Sequence, residues 1–318
     1  GKANDGAKGE GDNLRGDLDA ALRAYRQAAA TTDEQLSRDP DNPQRLFDHA
    51  QSVFWVGYIA WQRGDLDDAT RAMAEYRDHA QRLIALEPDN PEWQVELGYA
   101  VSSLGTIEFE QRQWSIALDD FQRSRAINET NVAGKPDDAA RLDLGQDYSY
   151  IGETLAVLGR YAEASASFAA EIALYDAILA AEATHSLAAA RRQWAEIFLA
   201  RIDLDLGRPA AARPRLERLE NDLLERAALD TGDTRLREAL TVVQIERSAA
   251  ELALGESAVA RASAGRALAS SRHLAGMDGD NLLWQSYHAQ ALVAAARAAA
   301  PDADLASAIE AQRVRMLE

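Results

Sequence analysis

Apolar residues recur at intervals of three and four along the chain, as in Leu142, Leu144, Tyr148, Ile151, Leu155 and Leu158, or in Leu83, Ile84 and Leu86. That spacing puts them on one face of an α-helix, and no stretch shows the alternation of a half-buried strand. The elements predicted are helices throughout.

The helices are punctuated at a fixed interval. Tight-turn sites fall at Arg15-Gly16-Asp17, Arg63-Gly64-Asp65, Arg112-Gln113, Gly159-Arg160, Gly207-Arg208, Gly255-Glu256 and Asp302-Ala303, spaced by 48 or 47 residues. Five residues into each following segment stands an alanine: Ala21, Ala69, Ala117, Ala164, Ala212, Ala260 and Ala308. Given how common Ala is in this chain, seven such agreements have chance odds of ~1 in 100,000, so the repeat is real. Seven residues before the turns sits a second small residue: Gly57, Gly105, Gly152, Ala200, Ser248 and Ala296. Antiparallel helices joined by a short loop approach closely only where facing positions lack bulk, so these residues, with the alanines, are expected to be the packing positions of each pair.

A second landmark separates one pair from the next. Asp39-Pro40-Asp41-Asn42-Pro43, Glu87-Pro88-Asp89-Asn90-Pro91 and Lys135-Pro136-Asp137-Asp138 stop one helix with Pro and offer Asn or Asp to cap the next. The units so defined are roughly 17–43, 44–91, 92–136, 137–184, 185–232, 233–279 and 280–318. Residues 1–16 read as a truncated first helix or an expression tail, and 17–318 as a single domain. The ending Leu317-Glu318 resembles a vector scar, so an excised piece of a longer protein is expected.

The unit Ile151-Gly152, Gly159, Tyr161, Ala164 and Phe168 resembles the tetratricopeptide repeat (TPR), as do Leu104-Gly105, Ala117 and Phe121, and Gly16, Ala21, Tyr25 and Ala28. Later units keep Ala212 and Ala260 but put Ala200 and Ser248 in place of Gly, and Leu216 and Ala264 in place of Phe. The resemblance implies an all-α, TPR-like right-handed α-solenoid of about six to seven antiparallel helix pairs. Its period exceeds the usual 34 by 14 residues, which lengthens each helix by about two turns, or ~10 Å. Extended repeats of this kind resemble those beside effector domains in large bacterial signalling proteins.

Composition narrows the function. With 34 Lys and Arg against 52 Asp and Glu, the net charge of -18 disfavours nucleic acid and anionic membrane, and makes a basic or neutral partner the easier fit. The absence of Cys excludes disulfides and thiolate chemistry. No apolar run approaches the ~20 residues that cross a bilayer, so the expectation is a soluble chain. Its compartment is left open between the cytoplasm, the favoured placement, and an extracytoplasmic domain of a membrane-anchored protein.

The resemblance implies that ligands lie in a groove lined by the first helices. Projected onto this chain, that groove holds Gln51, Phe54, Trp55, Tyr58 and Trp61, then Tyr99 and Phe109, then Tyr150 and Glu153, then Trp194, Phe198 and Arg201, with Tyr287 and His288 near the far end. Aromatic side chains supply contact area at small entropic cost and suit a peptide or helix; longer helices also need aromatics simply to fill their layers. The Lys and Asn arrangement that clamps a terminal carboxylate in some TPR proteins is absent at these positions.

Other candidates are weak. His49, His79, His185, His273 and His288 are scattered without a paired-His zinc motif, so no metal and no cofactor is expected. The glycines of residues 1–11 lack the Ser or Thr and the preceding strand of a phosphate loop. The two Arg-Gly-Asp triplets sit at turns, and Asp67-Asp68, Asp119-Asp120 and Asp137-Asp138 sit near helix starts, where carboxylates favour the macrodipole. No catalytic residues emerge. The expected function is a noncatalytic scaffold that binds a protein or peptide and serves an attached effector domain; the alternative is a self-assembly module that forms a homo-oligomer through solenoid ends or helix faces.

Overall fold

A computed structural model describes the backbone of residues 4–299 and Gln312, and the side chains of 18–299 and Gln312. The described residues form α1 (Asn4–Arg38), α2 (Pro43–Gln62), α3 (Leu66–Leu86), α4 (Pro91–Glu110), α5 (Trp114–Gly134), α6 (Asp138–Val157), α7 (Tyr161–Ala181), α8 (Ser186–Asp205), α9 (Pro209–Leu229), α10 (Thr234–Ala253), α11 (Ser257–Met277) and α12 (Leu282–Ala298). There is no strand among them. From α2 to α11, first helices of 20 residues alternate with second helices of 21, each ~30 Å long.

The turns within pairs share one geometry. Gly64, Gly159, Gly207 and Gly255 have φ of 79°, 73°, 67° and 80°, and Arg112 takes the same left-handed conformation at 62°. In each case the next residue's N–H reaches back five residues: Asp65 to the Ala60 carbonyl (2.9 Å), Gln113 to Glu108 (2.9 Å), Arg160 to Leu155 (2.8 Å), Arg208 to Asp203 (2.7 Å) and Glu256 to Glu251 (2.9 Å). This bond satisfies carbonyls that a helix end leaves open and turns the chain back on itself. Between pairs, Asn42, Asn90, Asp137, Asp233 and Asn281 cap α2, α4, α6, α10 and α12 through their side chains. His185 does the same for α8, its Nδ1 accepting from the Ala188 N–H at 3.2 Å.

At Arg15-Gly16-Asp17 the expected turn does not form: α1 runs through it unbroken. A helical Gly costs only ~1 kcal/mol against Ala, so glycine permits the left-handed turn without compelling it. The sites at Asp302-Ala303 and Ala308 lie outside the described residues. A second difference is in α7, which over an 18-residue window is apolar enough, at mean hydropathy 1.3, to qualify by composition for a bilayer span. It instead buries Phe168, Tyr175 and Ile178 within its repeat layer and carries Glu163, Glu171 and Asp176.

Contacts divide the chain into two compact units, Gly1–Ala188 and Ala189–Glu318. In the first, α2, α3 and α4 enclose Val53, Met73, Tyr76, Leu104 and Ile107, and Leu36, Leu46, Leu83 and Trp93 form a further cluster at the repeat connections. In the second, α8, α9 and α10 enclose Ile197, Leu216, Leu223, Leu240 and Val243.

Packing within a pair follows a size rule. A Cβ on Gly105 would stand 2.9 Å from the Phe121 ring, on Gly152 2.8 Å from Phe168, and on Gly57 3.0 Å from Met73. Each partner lies 16 residues further on, four past the turn's alanine. Where the small residue grows to Ala200 the partner shrinks to Leu216, and opposite Ser248 it shrinks to Ala264; all four are buried. Ser248 also donates to the Ala260 carbonyl at 2.9 Å. The alanines Ala69, Ala117, Ala164, Ala212 and Ala260 are fully buried beside these contacts.

Candidate functional site

Helical spacing brings Gln51, Phe54, Trp55, Tyr58 and Trp61 to one side of α2, and packing then separates them. Phe54, Tyr58 and Trp61 lean against the core of α2, α3 and α4, with Phe54 5.4 Å from the Tyr76 ring and Tyr58 5.7 Å from Trp61. Trp55 turns away from that core and is 40% exposed, stacked on Tyr25 of α1 at 5.6 Å and 14°. One helix further, Tyr99 on α4 is 46% exposed and donates its hydroxyl to Asp143 of α6 at 2.9 Å.

That bond is one of a set linking successive first helices. Gln51 of α2 donates to Glu96 of α4, and Glu96 also accepts from Tyr76 at 2.6 Å. In the second unit Arg201 of α8 pairs with Glu246 of α10 at 2.6 Å, and Trp284 of α12 donates to Glu238 of α10 at 2.6 Å. Within each unit, therefore, the first helices are tied to one another by aromatic, amide and arginine donors that meet carboxylates.

The other projected positions are less available. Phe109 and Glu153 are half-buried, and Tyr150 stacks on the core residue Phe121 at 4.8 Å. Trp194 and Tyr287 pack against the core of the second unit. Phe198 lies 5.9 Å beneath the Arg201 guanidinium, and His288 shares a hydrogen bond with Ser271.

Buried acids are held in different ways. In the first unit Asp147 meets neutral donors, accepting from Ser124 and Asn128, each at 2.7 Å, and burial pushes its carboxyl up to about 7, whereas Asp120 pairs with Arg123 at 3.0 Å. Burial and the nearby Asp120 push Glu108 up to about 7, and burial raises Glu96. Burial and Asp143 push the Tyr99 hydroxyl up to about 12. In the second unit burial works against Glu220, but Arg266, Gln244 and Arg247 converge on it and hold it below the usual range. Around Glu220 cationic partners favour the ionised acid, whereas at Asp147 burial favours the protonated one.

The histidines are not all scattered. His49 of α2 and His79 of α3 meet edge to face at 5.0 Å, and Glu75, one turn before His79, brings its carboxylate to both. Only the Glu75/His79 spacing was visible locally; His49 arrives through helix pairing.

No family model matches the sequence, and no curated protein matches it. Solved structures do. BtubC (BKLC) from P. vanneervenii superposes with a TM-score of 0.61 at 16% identity, covering 81% of this chain and 92% of its own. The apo form of RapI does so with 0.52 at 16% identity, covering 91% and 96%. The TPR-like repeats of a putative kinesin light chain from Podosopora anserina reach 0.53 at 16% identity, covering 74% and 98%. At these identities the likeness is one of fold.

Proposed function

From the TPR-like α-solenoid fold of this chain, we propose a noncatalytic scaffold that binds a protein or peptide of basic character along its first helices. The observation that carries this is that two large aromatics of the first helices, Trp55 on α2 and Tyr99 on α4, are left 40% and 46% exposed, with the Asp143 carboxylate against the Tyr99 hydroxyl. Exposed aromatics of this kind are enriched among residues that dominate binding energy, and the Asp143 carboxylate beside Tyr99 favours cationic side chains there. The long repeat supports a finer reading, in which the chain is the recognition portion of a larger bacterial signalling or regulatory protein.

The test is selection of displayed peptides on the purified chain, followed by affinity measurement at two salt concentrations. Enriched sequences rich in Lys or Arg, binding more weakly at high salt and at least ~30-fold more weakly to Trp55→Ala/Tyr99→Ala, support the reading. Acidic sequences, or equal affinity for wild type and variant, oppose it.

Self-assembly is the second reading, and its support is a set of exposed apolar side chains at the repeat connections of the second unit: Leu229, Met277, Leu282 and Leu283. Light scattering that stays monomeric at all concentrations, with Leu282→Ser behaving as wild type, removes it.

A further inference from the structure

We propose that His49, Glu75 and His79, joined by Asp33, form a site for a divalent transition-metal ion of the Zn2+ class that ties α1 to the α2/α3 pair.

The ligating atoms face one another without bonding to one another. His79 Nε2 stands 3.6 Å from Glu75 Oε1, and His49 Nε2 stands 3.8 Å from the same oxygen and 4.0 Å from Asp33 Oδ1. These separations are too long for hydrogen bonds, and His79 Nε2 is buried with no hydrogen-bond partner. A buried nitrogen without a partner is costly, and a metal ion at the centre of the group removes that cost. Two imidazole nitrogens with one or two carboxylate oxygens suit Zn2+ and its neighbours, whereas Mg2+ and Ca2+ take oxygen alone.

The His49 ring is also oriented for the task. Its Nδ1 lies 3.0 Å from Thr32 Oγ1, and that hydroxyl directs its own proton to the carbonyls of Ala28 and Ala29 at 3.1 and 3.0 Å. Thr32 therefore accepts from His49 Nδ1–H, leaving the Nε2 lone pair pointing at Glu75 and Asp33. Such a second bond, fixing tautomer and ring direction, accompanies histidines that ligate metals. Ligands of a tetrahedral site with bonds of ~2.0–2.1 Å lie about 3.3 Å apart, so the separations of 3.6, 3.8 and 4.0 Å each shorten when the site closes on an ion. Glu75 and Asp33, with side chains 55% and 67% exposed, have the freedom to move, and a recess of about 330 Å³ lined by both acids and His49 gives the ion a way in.

The experiment titrates Co2+ into the metal-stripped full chain and then displaces it with Zn2+. One strong equivalent is expected, with the visible absorption of a four-coordinate site. Glu75→Gln and His79→Gln are expected to weaken binding at least ~100-fold, and Thr32→Val, which leaves every ligand in place, about 10–100-fold. His273→Gln, exposed on α11, is expected to change nothing. Circular dichroism checks helicity throughout, and Glu75→Gln alters an exposed side chain, so a folded variant is available. Absence of a strong equivalent in the wild type, or an affinity that Glu75→Gln and Thr32→Val leave unchanged, overturns the proposal.

Discussion

Replacing Gly105 by Ala tests whether the repeat is held by the fit between a small first-helix residue and its partner 16 residues on. The new Cβ would stand 2.9 and 3.0 Å from two carbons of Phe121, a ring that is 1% exposed and has nowhere to retreat. Overpacking of this kind costs about 1–3 kcal/mol, and the gain in helix propensity from Gly to Ala returns about 1, leaving a net loss of ~0–2 kcal/mol. Phe121→Leu alone empties part of the ring's space and costs about 1–2 kcal/mol. The double variant Gly105→Ala/Phe121→Leu recreates the pair that Ala200 and Leu216 form in the second unit, where both are fully buried. Its total side-chain volume is nearly unchanged, so it is expected to exceed the additive value by ~1–2 kcal/mol. Urea denaturation of the four proteins, followed by circular dichroism, gives the coupling directly. Additivity within ~0.5 kcal/mol would refute the size rule.

Arg112 occupies the left-handed turn position that glycine fills in the four other turns of this geometry, so Arg112→Gly is expected to stabilise by about 0.5–1 kcal/mol in the same assay. Asn281→Ala removes the side-chain acceptor for the Trp284 N–H and is expected to cost ~1 kcal/mol. Asp147 titrates at about 7 in the folded chain against 3.8 for the free side chain, so the folded state holds the extra proton between those values. Its contribution is fully present below pH ~4, declines as pH rises, and is gone above pH ~7. Asp147→Asn is therefore expected to be about 1–2 kcal/mol more stable than wild type at pH 8 and to lose that advantage towards pH 4; parallel stability curves for the two proteins would count against the buried-acid argument.

The period was legible because it records backbone demands. Gly64, Gly159, Gly207 and Gly255 serve a left-handed residue, and the Asn, Asp and Pro residues between pairs serve helix ends; both leave a mark wherever they occur. Gly16 shows the limit, since a permissive residue does not oblige the chain to turn. The pairing of Gly105 with Phe121 and of Ser248 with Ala264 has meaning only once the two helices are known to touch at those levels. Periodicity alone put Phe54, Trp55, Tyr58 and Trp61 on one side of α2. It did not separate Trp55 from the others, because that depends on Tyr76 and the neighbouring helices filling the space beneath Phe54 and Tyr58. His49 and His79, 30 residues apart on different helices, carry no local signal of their meeting.

The most direct test of partner recognition on the first helices places a photo-crosslinking residue at Tyr99, and separately at Ala173, which is exposed on the second helix α7. With a selected basic peptide bound, crosslinking is expected from position 99 and not from 173. Equal yield at both positions, or yield from 173 alone, would contradict the account.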